Sequence, residues 1–469
     1  MSERATQTRA ASAVQRCIIP ECNSAYGVQE RIYVCSRCGG PLEIQCRLET
    51  CGDADALRKR WAERAGSNDP RDRSGVWRYR ELLPFDEGVP IVSLMEGDTP
   101  LYDAPRSAEY CGLQGLRVKH LGCNPTGSFK DAGMTTAVTQ AALLGARTVV
   151  CASTGNTAAS LAAYAARAGM QCAIIVPQGQ ITAAKLAQSM DYGAAVLEIE
   201  GNFDEAMRLV QELADDASIY LANSINPYRV EGQKTVAFEL LQQCGWKLPQ
   251  HVAVPGGNMG NSSALAKGFD ELLRLRLIDR LPRLHVIQAE GSAPVARMFS
   301  EMAKNRAAEN GSELPDYLAP VEHPQTLATA IKIGSPISWR KSLRGVLRSG
   351  GSVLAVSEQE IADAKAIIGR DGIGCEPASA TTVAGIRRMI ASGDIGRSDS
   401  VVAVLTGHVL KDPDYVNRYH HGTLALGSAA PIAGAFANPP ERVAAKKSAI
   451  LESIERRTQS RERMPRAKN

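Results

Sequence analysis

Lys130 lies in a segment whose residue types could perform imine chemistry. In NPTGSFKDAGM, residues 124–134, Ser128 is the predicted N-cap of a helix and Lys130 lies in its first turn. A cation is disfavoured at the positive end of a helix, so we expect the pKa of Lys130 to fall. A lysine that loses its proton easily is suited to Schiff-base formation. A solvated surface lysine would explain the charge but not this placement.

Two further segments offer anion-binding groups at predicted helix starts. ASTGNTAAS, residues 152–160, contains Ser153, Thr154, Asn156 and Thr157, which suit a carboxylate, whereas an ordinary N-cap needs only one hydroxyl. PGGNMGN, residues 255–261, brings backbone N–H groups close to an anion. It matches neither GxGxxG nor a P-loop, so it is a phosphate cradle of another kind or simply a turn.

A fourth candidate is Thr406, at the end of the apolar run VVAVLTG. Its hydroxyl could bond to a ring nitrogen or cap the next turn. A lysine, a glycine loop, a polar anion site and such a hydroxyl together indicate pyridoxal phosphate.

The elements that must position these residues follow a regular alternation. Short β-branched runs alternate with Ala- and Leu-rich helical stretches, and the runs are TVVCAS, CAIIVP, AVLEIE, SIYLAN, HVAVPGG, LHVIQAEG, SVLAVS and VVAVLTG. This pattern predicts an α/β protein with parallel sheets covered on both faces. Ligands bind such sheets at the carboxyl ends of strands, where the candidate residues lie.

Four of the twelve cysteines are grouped near the N-terminus. Cys17 and Cys22 form one pair, Cys35 and Cys38 form another, and the strand-like run RIYV lies between them. This spacing predicts a structural zinc ribbon, with reduced thiols in a degraded ribbon as the alternative. Cys46 and Cys51 follow closely and leave the ligand assignment open.

Composition favours an ordinary globular protein. Of 469 residues, 44% are apolar and 22% charged, and the sequence contains neither a secretory signal nor a run long enough to span a membrane. The net charge of +4 is concentrated in residues 441–469, which argues against nucleic-acid binding. We expect a cytoplasmic protein with a short N-terminal arm; an organelle transit peptide is the alternative.

The chain resembles the threonine synthases, fold-type II pyridoxal-phosphate enzymes, from about Ile91 to about Arg442. The motifs that carry the resemblance are SLMEGDTPL, NPTGSFKD, ASTGNT, LANSINPYRVEGQKT, PGGNMGN, EPASA and LTGH. The sequences of several motifs are similar to those of the plant-type branch of this family, although the Cys17–Cys38 arrangement departs from that branch. The resemblance implies two doubly wound sheet domains with the cofactor between them.

We expect four regions along the chain. They are an arm and zinc-ribbon-like segment (1–52), a linker or helical segment (53–90), a catalytic region of two α/β subdomains (91–440), and a basic helix and tail (441–469).

The resemblance also implies roles for the site residues. Lys130 would form the internal aldimine with the cofactor, Asn156 would contact its 3′-oxygen, and Thr406 would meet its ring nitrogen. Ser153, Thr154 and Thr157 would bind the substrate carboxylate, and Arg229 the substrate phosphate. The backbone of the glycine loop would hold the cofactor phosphate through Gly257, Asn258, Met259, Gly260 and Asn261.

The implied reaction converts O-phospho-L-homoserine and water to L-threonine and phosphate, in a homodimer. One alternative is a cysteate synthase-like replacement on O-phosphoserine. Another is a non-catalytic interaction protein of the same fold. A threonine dehydratase would not require Arg229, because its substrate carries no phosphate.

Overall fold

A computed structural model of the chain describes residues 13–178, 183–201, 203–306 and 314–462. Most of the predicted N-terminal arm and the last seven residues of the basic tail lie outside the described residues. No helix of the described part of the chain is both long and apolar enough to cross a membrane.

The strands of the described residues form three sheets. They are β1 (Ala13–Cys17), β2 (Ala25–Gly27), β3 (Leu42–Cys46), β4 (Leu101–Asp103), β5 (Arg117–His120), β6 (Thr148–Ala152), β7 (Gln171–Pro177), β8 (Ala195–Ile199), β9 (Ile219–Leu221), β10 (His251–Pro255), β11 (Arg283–Ala289), β12 (Ser352–Val356) and β13 (Val401–Leu405).

Two of the sheets confirm the predicted α/β class. The larger has the order β12-β11-β10-β13-β5-β4 and is parallel apart from β4, which runs antiparallel to β5. The smaller has the order β8-β7-β6-β9 and is parallel throughout. All eight predicted runs form strands. Periodicity missed β4 (LYD) and β5 (RVKH), because neither is a continuous run of apolar residues.

Helices connect the strands and cover the sheets. The α-helices of the described residues are α1 (Ala54–Ala65), α2 (Pro70–Arg73), α3 (Pro105–Cys111), α4 (Lys130–Leu143), α5 (Asn156–Ala168), α6 (Ala183–Asp191), α7 (Phe203–Leu213), α8 (Pro227–Gln243), α9 (Gly260–Arg274), α10 (Pro294–Arg306), α11 (Trp339–Ser349), α12 (Glu358–Arg370), α13 (Pro377–Ser392), α14 (Pro413–His420) and α15 (Lys447–Glu462). Short 3-10 helices span Leu48–Thr50, Trp77–Leu82, Leu121–Cys123, Glu290–Ser292, Thr329–Ile331 and Val409–Lys411.

The smaller sheet is inserted in the chain between two parts of the larger one. Strands β4 and β5 come first, β6 to β9 follow, and β10 to β13 complete the larger sheet. Helix α8 carries the chain back from the smaller sheet and packs between α4 and α9. Its approach to α4 requires Gly232, because a side-chain carbon there would lie 1.7 Å from the Ala132 carbonyl oxygen. This close packing fixes α8 against the helix that begins with Lys130.

The cysteine-rich segment forms the third sheet. Strand β1 pairs antiparallel with both β2 and β3. The strand-like run RIYV forms no strand: within this run only Val34 makes a β-bridge, to Pro41. The side chains of Arg31 and Tyr33 instead bond to the body of the protein, to the backbone around strand β9.

Candidate active site

The loop that precedes Lys130 is held against the end of strand β13. The Phe129 N–H donates to the Thr406 carbonyl at 2.9 Å, and the His408 N–H donates to the Gly127 carbonyl at 2.9 Å. The N-cap of α4 is Phe129, so the prediction of Ser128 as the cap is wrong by one position. The Ser128 hydroxyl still accepts the Lys130 N–H, at 3.4 Å. These bonds tie the position of Lys130 to that of Thr406.

The Lys130 amine lies in an environment that favours its neutral form. The pKa of Lys130 is lowered to about 7, mainly by burial and also by the nearby positive charge of Arg229, while Glu376 opposes the fall. The sequence predicted this direction from the helix terminus, but burial is the main cause. Nζ lies 4.0 Å from the Phe129 ring centroid and has no hydrogen-bond partner among the residues that the structure describes.

The polar loop after β6 forms the start of helix α5. Ser153, Thr154 and Thr157 are all partly exposed there, and the Ser153 hydroxyl accepts the Gly155 N–H at 3.2 Å. No side chain of the described part of the chain caps this helix, so its first N–H groups are available to an anion. Asn156 points elsewhere: its Nδ2 donates to Glu376 Oε2 at 2.9 Å.

Glu376 is a site residue to which the sequence analysis gave no role. Its second oxygen, Oε1, accepts the Thr406 hydroxyl at 3.1 Å, so one carboxyl group joins Asn156 to Thr406. Burial raises the pKa of Glu376, while the bonds from Asn156 and Thr406 oppose the rise. The available signal was the motif EPASA, in which a glutamate and a proline precede the small residues of α13.

Two small neighbours make room for this carboxyl group. The Ser379 hydroxyl accepts the N–H groups of Thr406 and Gly407 at 2.8 and 3.1 Å. A side-chain carbon on Gly407 would lie 2.3 Å from Glu376 Cδ, so this position requires glycine. The end of β13 is therefore fitted around Glu376.

The glycine loop turns tightly between β10 and α9. Met259 adopts a left-handed conformation with φ of 62°, and Gly260 begins α9. The Asn258 side chain donates to the Ser224 hydroxyl and accepts the Ile337 N–H, both at 2.6 Å. Gly257 packs closely, since a side-chain carbon there would lie 3.1 Å from Ile331. Asn261 is buried, and neither atom of its amide has a partner within the described chain.

Arg229 is a buried cation on the first turn of α8. Only 4% of its surface is exposed, and burial lowers its pKa to about 10. Its guanidinium donates to the Ala222 carbonyl at 3.2 Å, while Nε has no partner among the residues that the structure describes. Among the described residues, no carboxylate forms an ion pair with it. An anionic ligand would supply the missing charge.

The arrangement fits pyridoxal phosphate. An unpaired amine of lowered pKa, a hydroxyl at the end of a strand, a glycine loop at a helix N-terminus and the orphaned amide of Asn261 all occur at strand ends. Hydrogen bonds join Asn156, Glu376, Thr406 and the backbone that precedes Lys130, and the charge of Arg229 is close enough to lower the pKa of Lys130. The glycine loop is joined to the segment of Arg229 through Ser224.

The four predicted cysteine ligands also come together. The sulfur atoms of Cys17, Cys22, Cys35 and Cys38 all lie within 4.8 Å of one another. Cys46 and Cys51 lie apart from this group: Cys46 Sγ is 3.9 Å from Glu231, and Cys51 Sγ donates to the Glu81 carbonyl at 3.3 Å. Four converging thiols are compatible with a tetrahedral zinc ion.

Comparison with solved structures shows the same fold in other enzymes. The processed form of threonine deaminase isoform 2 from Solanum lycopersicum superposes with a TM-score of 0.56 at 18% identity, over 76% of this chain and 85% of that one. An L-serine ammonia-lyase from Rhizomucor miehei gives 0.57 at 19% identity, over 71% of this chain and all of that one.

Sequence comparison is more specific. The profile of the pyridoxal-phosphate dependent enzymes matches residues 92–407. The threonine synthase of Methanocaldococcus jannaschii is 46% identical over 405 residues, which cover 86% of this chain and 93% of that protein. The threonine synthase of Mycobacterium leprae is 46% identical over 338 residues, which cover 72% of this chain and 88% of that protein. The chain therefore belongs to the threonine synthase family of pyridoxal-phosphate-dependent enzymes.

Proposed function

We propose that this chain converts O-phospho-L-homoserine and water to L-threonine and phosphate, the last step of threonine biosynthesis. The observation that carries the proposal is the 46% identity to the Methanocaldococcus jannaschii threonine synthase over most of both chains. The site is consistent with it, because a buried arginine without an acidic partner is suited to a phosphorylated substrate.

The residues proposed to hold pyridoxal phosphate surround the ends of three strands. Lys130 and Thr406 lie at the end of β13, Asn156 follows β6, and the backbone from Gly257 to Asn261 follows β10. When bound there, the cofactor supplies an electron sink that stabilises negative charge on substrate carbons. A hydroxyl partner such as Thr406 does not force the ring nitrogen to be protonated, which moderates this sink. Glu376 orients both Asn156 and Thr406 through the hydrogen bonds described above.

Lys130 is the proposed general base and acid. With its pKa lowered to about 7, a large fraction of the amine is neutral at physiological pH and can accept a proton. The amine lies at the end of a flexible side chain, so it can take a proton from one substrate carbon and return it at a neighbouring one. Its partly buried setting limits exchange of that proton with solvent.

The substrate is proposed to bind between the N-terminus of helix α5 and the guanidinium of Arg229. Its carboxylate lies at the start of α5, where Ser153, Thr154 and Thr157 supply hydroxyls beside free backbone N–H groups. Its phosphate binds the planar guanidinium of Arg229, which offers paired donors to two phosphate oxygens.

Assays of the purified protein with two phosphorylated amino acids test this proposal. We expect O-phospho-L-homoserine to yield threonine and phosphate in equal amounts, and a cofactor absorbance band that disappears in Lys130→Ala. Release of phosphate from O-phosphoserine, dependent on sulfite and without threonine formation, would assign the chain instead to the cysteate synthase-like reaction. Failure to bind cofactor would indicate the non-catalytic interaction protein.

Two broader expectations belong to the same proposal. We propose that the chain is a homodimer, which sedimentation equilibrium of the purified protein tests. All twelve cysteines are free thiols, which suits a reducing compartment such as the cytoplasm. Fractionation of the source cells would check that location.

A further inference from the structure

We propose that a zinc ion bound by the four cysteines holds the Arg229 segment in its phosphate-binding position. The cysteine cluster would then be a metal site that controls the substrate subsite. The role of Arg229 rests on the proposed function, whereas the metal site and its contacts do not.

The cysteine segment has too little apolar core to hold its shape alone. Its buried cluster consists of Cys17, Cys35 and Leu42, so two of the three fully buried members are thiols. The closest sulfur pairs, Cys17 with Cys38 and Cys22 with Cys35, are each 3.5 Å apart and form no disulfide. Segments this small depend on a metal or a disulfide for order. A thiolate-bound zinc ion satisfies that need.

The chain between the two cysteine pairs contacts the exposed edge of strand β9. The Tyr33 hydroxyl accepts the Leu221 N–H at 2.8 Å, and the Arg31 guanidinium donates to the Ile219 carbonyl at 3.0 Å and to the Ala217 carbonyl at 2.5 Å. Strand β9 is at the edge of its sheet and pairs only with β6. These bonds therefore supply partners for edge groups that would otherwise face water.

The same stretch also holds the first turn of α8. The Val28 carbonyl accepts the Tyr228 hydroxyl at 2.7 Å and Gln140 Nε2 of helix α4 at 2.9 Å. Tyr228 immediately precedes Arg229. Residues 28–33 thus contact both ends of the segment that runs from β9 into α8.

That segment carries groups of the candidate active site. Its Ala222 carbonyl accepts from Arg229, and its Ser224 hydroxyl accepts from Asn258 of the glycine loop. Release of residues 28–33 would leave these groups connected to β6 and α8 but without support on their outer side. The cysteine pairs hold residues 28–33 in place, because Cys22 and Cys35 lie on either side of this stretch in the chain.

Other contacts of the cysteine segment do not depend on the metal. Lys341 Nζ donates to the Leu42 carbonyl at 2.6 Å, Arg344 donates to the Ile18 carbonyl at 3.2 Å, and Lys267 donates to the Ile44 carbonyl. Strand β3 should therefore stay docked when zinc is removed. Only the stretch around the cysteine pairs and the β9–α8 segment should loosen.

Hydrogen exchange with and without a zinc chelator tests this inference directly. The purified protein should contain one zinc per chain by elemental analysis. Chelation should speed amide exchange in residues 19–40 and 217–229 but not in 43–46. Exchange in 217–229 that is unchanged after zinc loss, or a protein isolated without zinc, would overturn the inference. Neither result depends on threonine formation.

Two variants separate the metal from the contact. Cys38→Ser removes the exposed ligand and should lower zinc affinity at least about tenfold, whereas Cys123→Ser, another exposed cysteine, should retain zinc. Tyr33→Phe should retain zinc yet speed exchange at Leu221, and Tyr102→Phe, on exposed strand β4, is its control.

Binding of inorganic phosphate measures the consequence at Arg229. If the segment is competent only one-tenth of the time, the apparent Kd rises about tenfold. We expect this rise in Cys38→Ser, in Tyr33→Phe and in the chelated protein. An unchanged Kd in all three, alongside faster exchange, would refute the link to the phosphate subsite. A wild-type protein that does not bind phosphate at all, but shows zinc-dependent exchange, would instead contradict the role of Arg229 in the proposed function.

Discussion

Replacement of Arg229 by methionine should have opposite effects on activity and on stability. The residue is a buried cation whose side chain makes only one hydrogen bond to a described residue, to the Ala222 carbonyl. Burial lowers its pKa from 12.5 to about 10, which corresponds to roughly 3 kcal/mol of unfavourable desolvation of the charge. Methionine has a similar length and no charge, so Arg229→Met removes this cost.

The expected gain in stability follows from these two contributions. The variant recovers roughly 3 kcal/mol of desolvation and loses about 1 kcal/mol for the bond to Ala222. We expect the ligand-free Arg229→Met protein to be more stable by about 2 kcal/mol. Denaturant unfolding without phosphate measures the difference.

The expected loss of activity follows from the phosphate. Removal of one partner of a buried charge pair costs about 2–5 kcal/mol, which corresponds to a fall in kcat/KM of roughly 30-fold to several thousand-fold. The pKa of Lys130 should also rise above about 7, because Arg229 lowers it, so the acid limb of the pH–rate profile should move to higher pH.

A surface arginine provides the control for this experiment. Arg208 is exposed and pairs with Glu212 on α7. Arg208→Met should therefore change neither the free energy of unfolding nor the activation free energy derived from kcat/KM by more than about 0.5 kcal/mol. A variant Arg229→Met that keeps kcat/KM within fivefold of wild type, or that is destabilised without ligand, would refute the assignment of Arg229 as an unpaired phosphate-binding cation.

Three other predictions concern buried titratable groups. Glu376→Gln should lower the pKa of Lys130 further, because the nearby carboxylate raises it. The acid limb of the kcat/KM profile should therefore move to lower pH. An acid limb that stays in place or moves to higher pH would contradict the electrostatic influence of Glu376 on Lys130. Burial lowers the pKa of His285 from 6.5 to about 3, so the neutral ring stabilises the fold above pH 6.5. This stabilisation should be lost as the pH falls from about 6.5 towards 3. In His285→Asn, unfolding measurements should show a smaller loss of stability over the same pH range. Lys234 lies between Glu231 and Glu271, so Lys234→Met leaves these carboxylates without their cation and should destabilise the protein by about 3–5 kcal/mol in denaturant unfolding. An unchanged stability would mean that these acids are already protonated.

The eight main strands were predictable from the sequence because each is a short apolar run that contains β-branched residues and has a helix on either side in the chain, and all but β8 contain buried residues. Parallel strands covered on both faces produce continuous apolar runs, which a sequence shows directly. Strands β4 and β5 and the antiparallel N-terminal sheet were not predicted. These strands are short and owe their order to pairing with distant residues, such as β5 with β13, more than 280 positions away.

The candidate site was predictable where the chemistry lies in one local motif. The glycine loop and the polar start of α5 each follow a predicted strand, and Lys130 follows a small-residue turn whose backbone is bonded to the end of β13. Glu376 and the contacts of Tyr33 could not be assigned in this way. Glu376 acts on Asn156 and Thr406, which are 220 and 30 positions away, and no local pattern encodes such a meeting.

The contacts between distant segments also explain why the strand-like run RIYV does not form a strand. Its β-branched and aromatic residues are typical of a strand, but Tyr33 uses its hydroxyl to bond the Leu221 N–H, and its ring lies edge-on to Tyr220 at 5.7 Å. The run contacts the edge of another sheet, which requires many of the same residue types as a strand. A single-sequence pattern therefore cannot separate the two roles. The distinction matters for function, because a strand at RIYV would have stabilised only the cysteine segment, whereas the observed contact reaches the segment that carries Arg229.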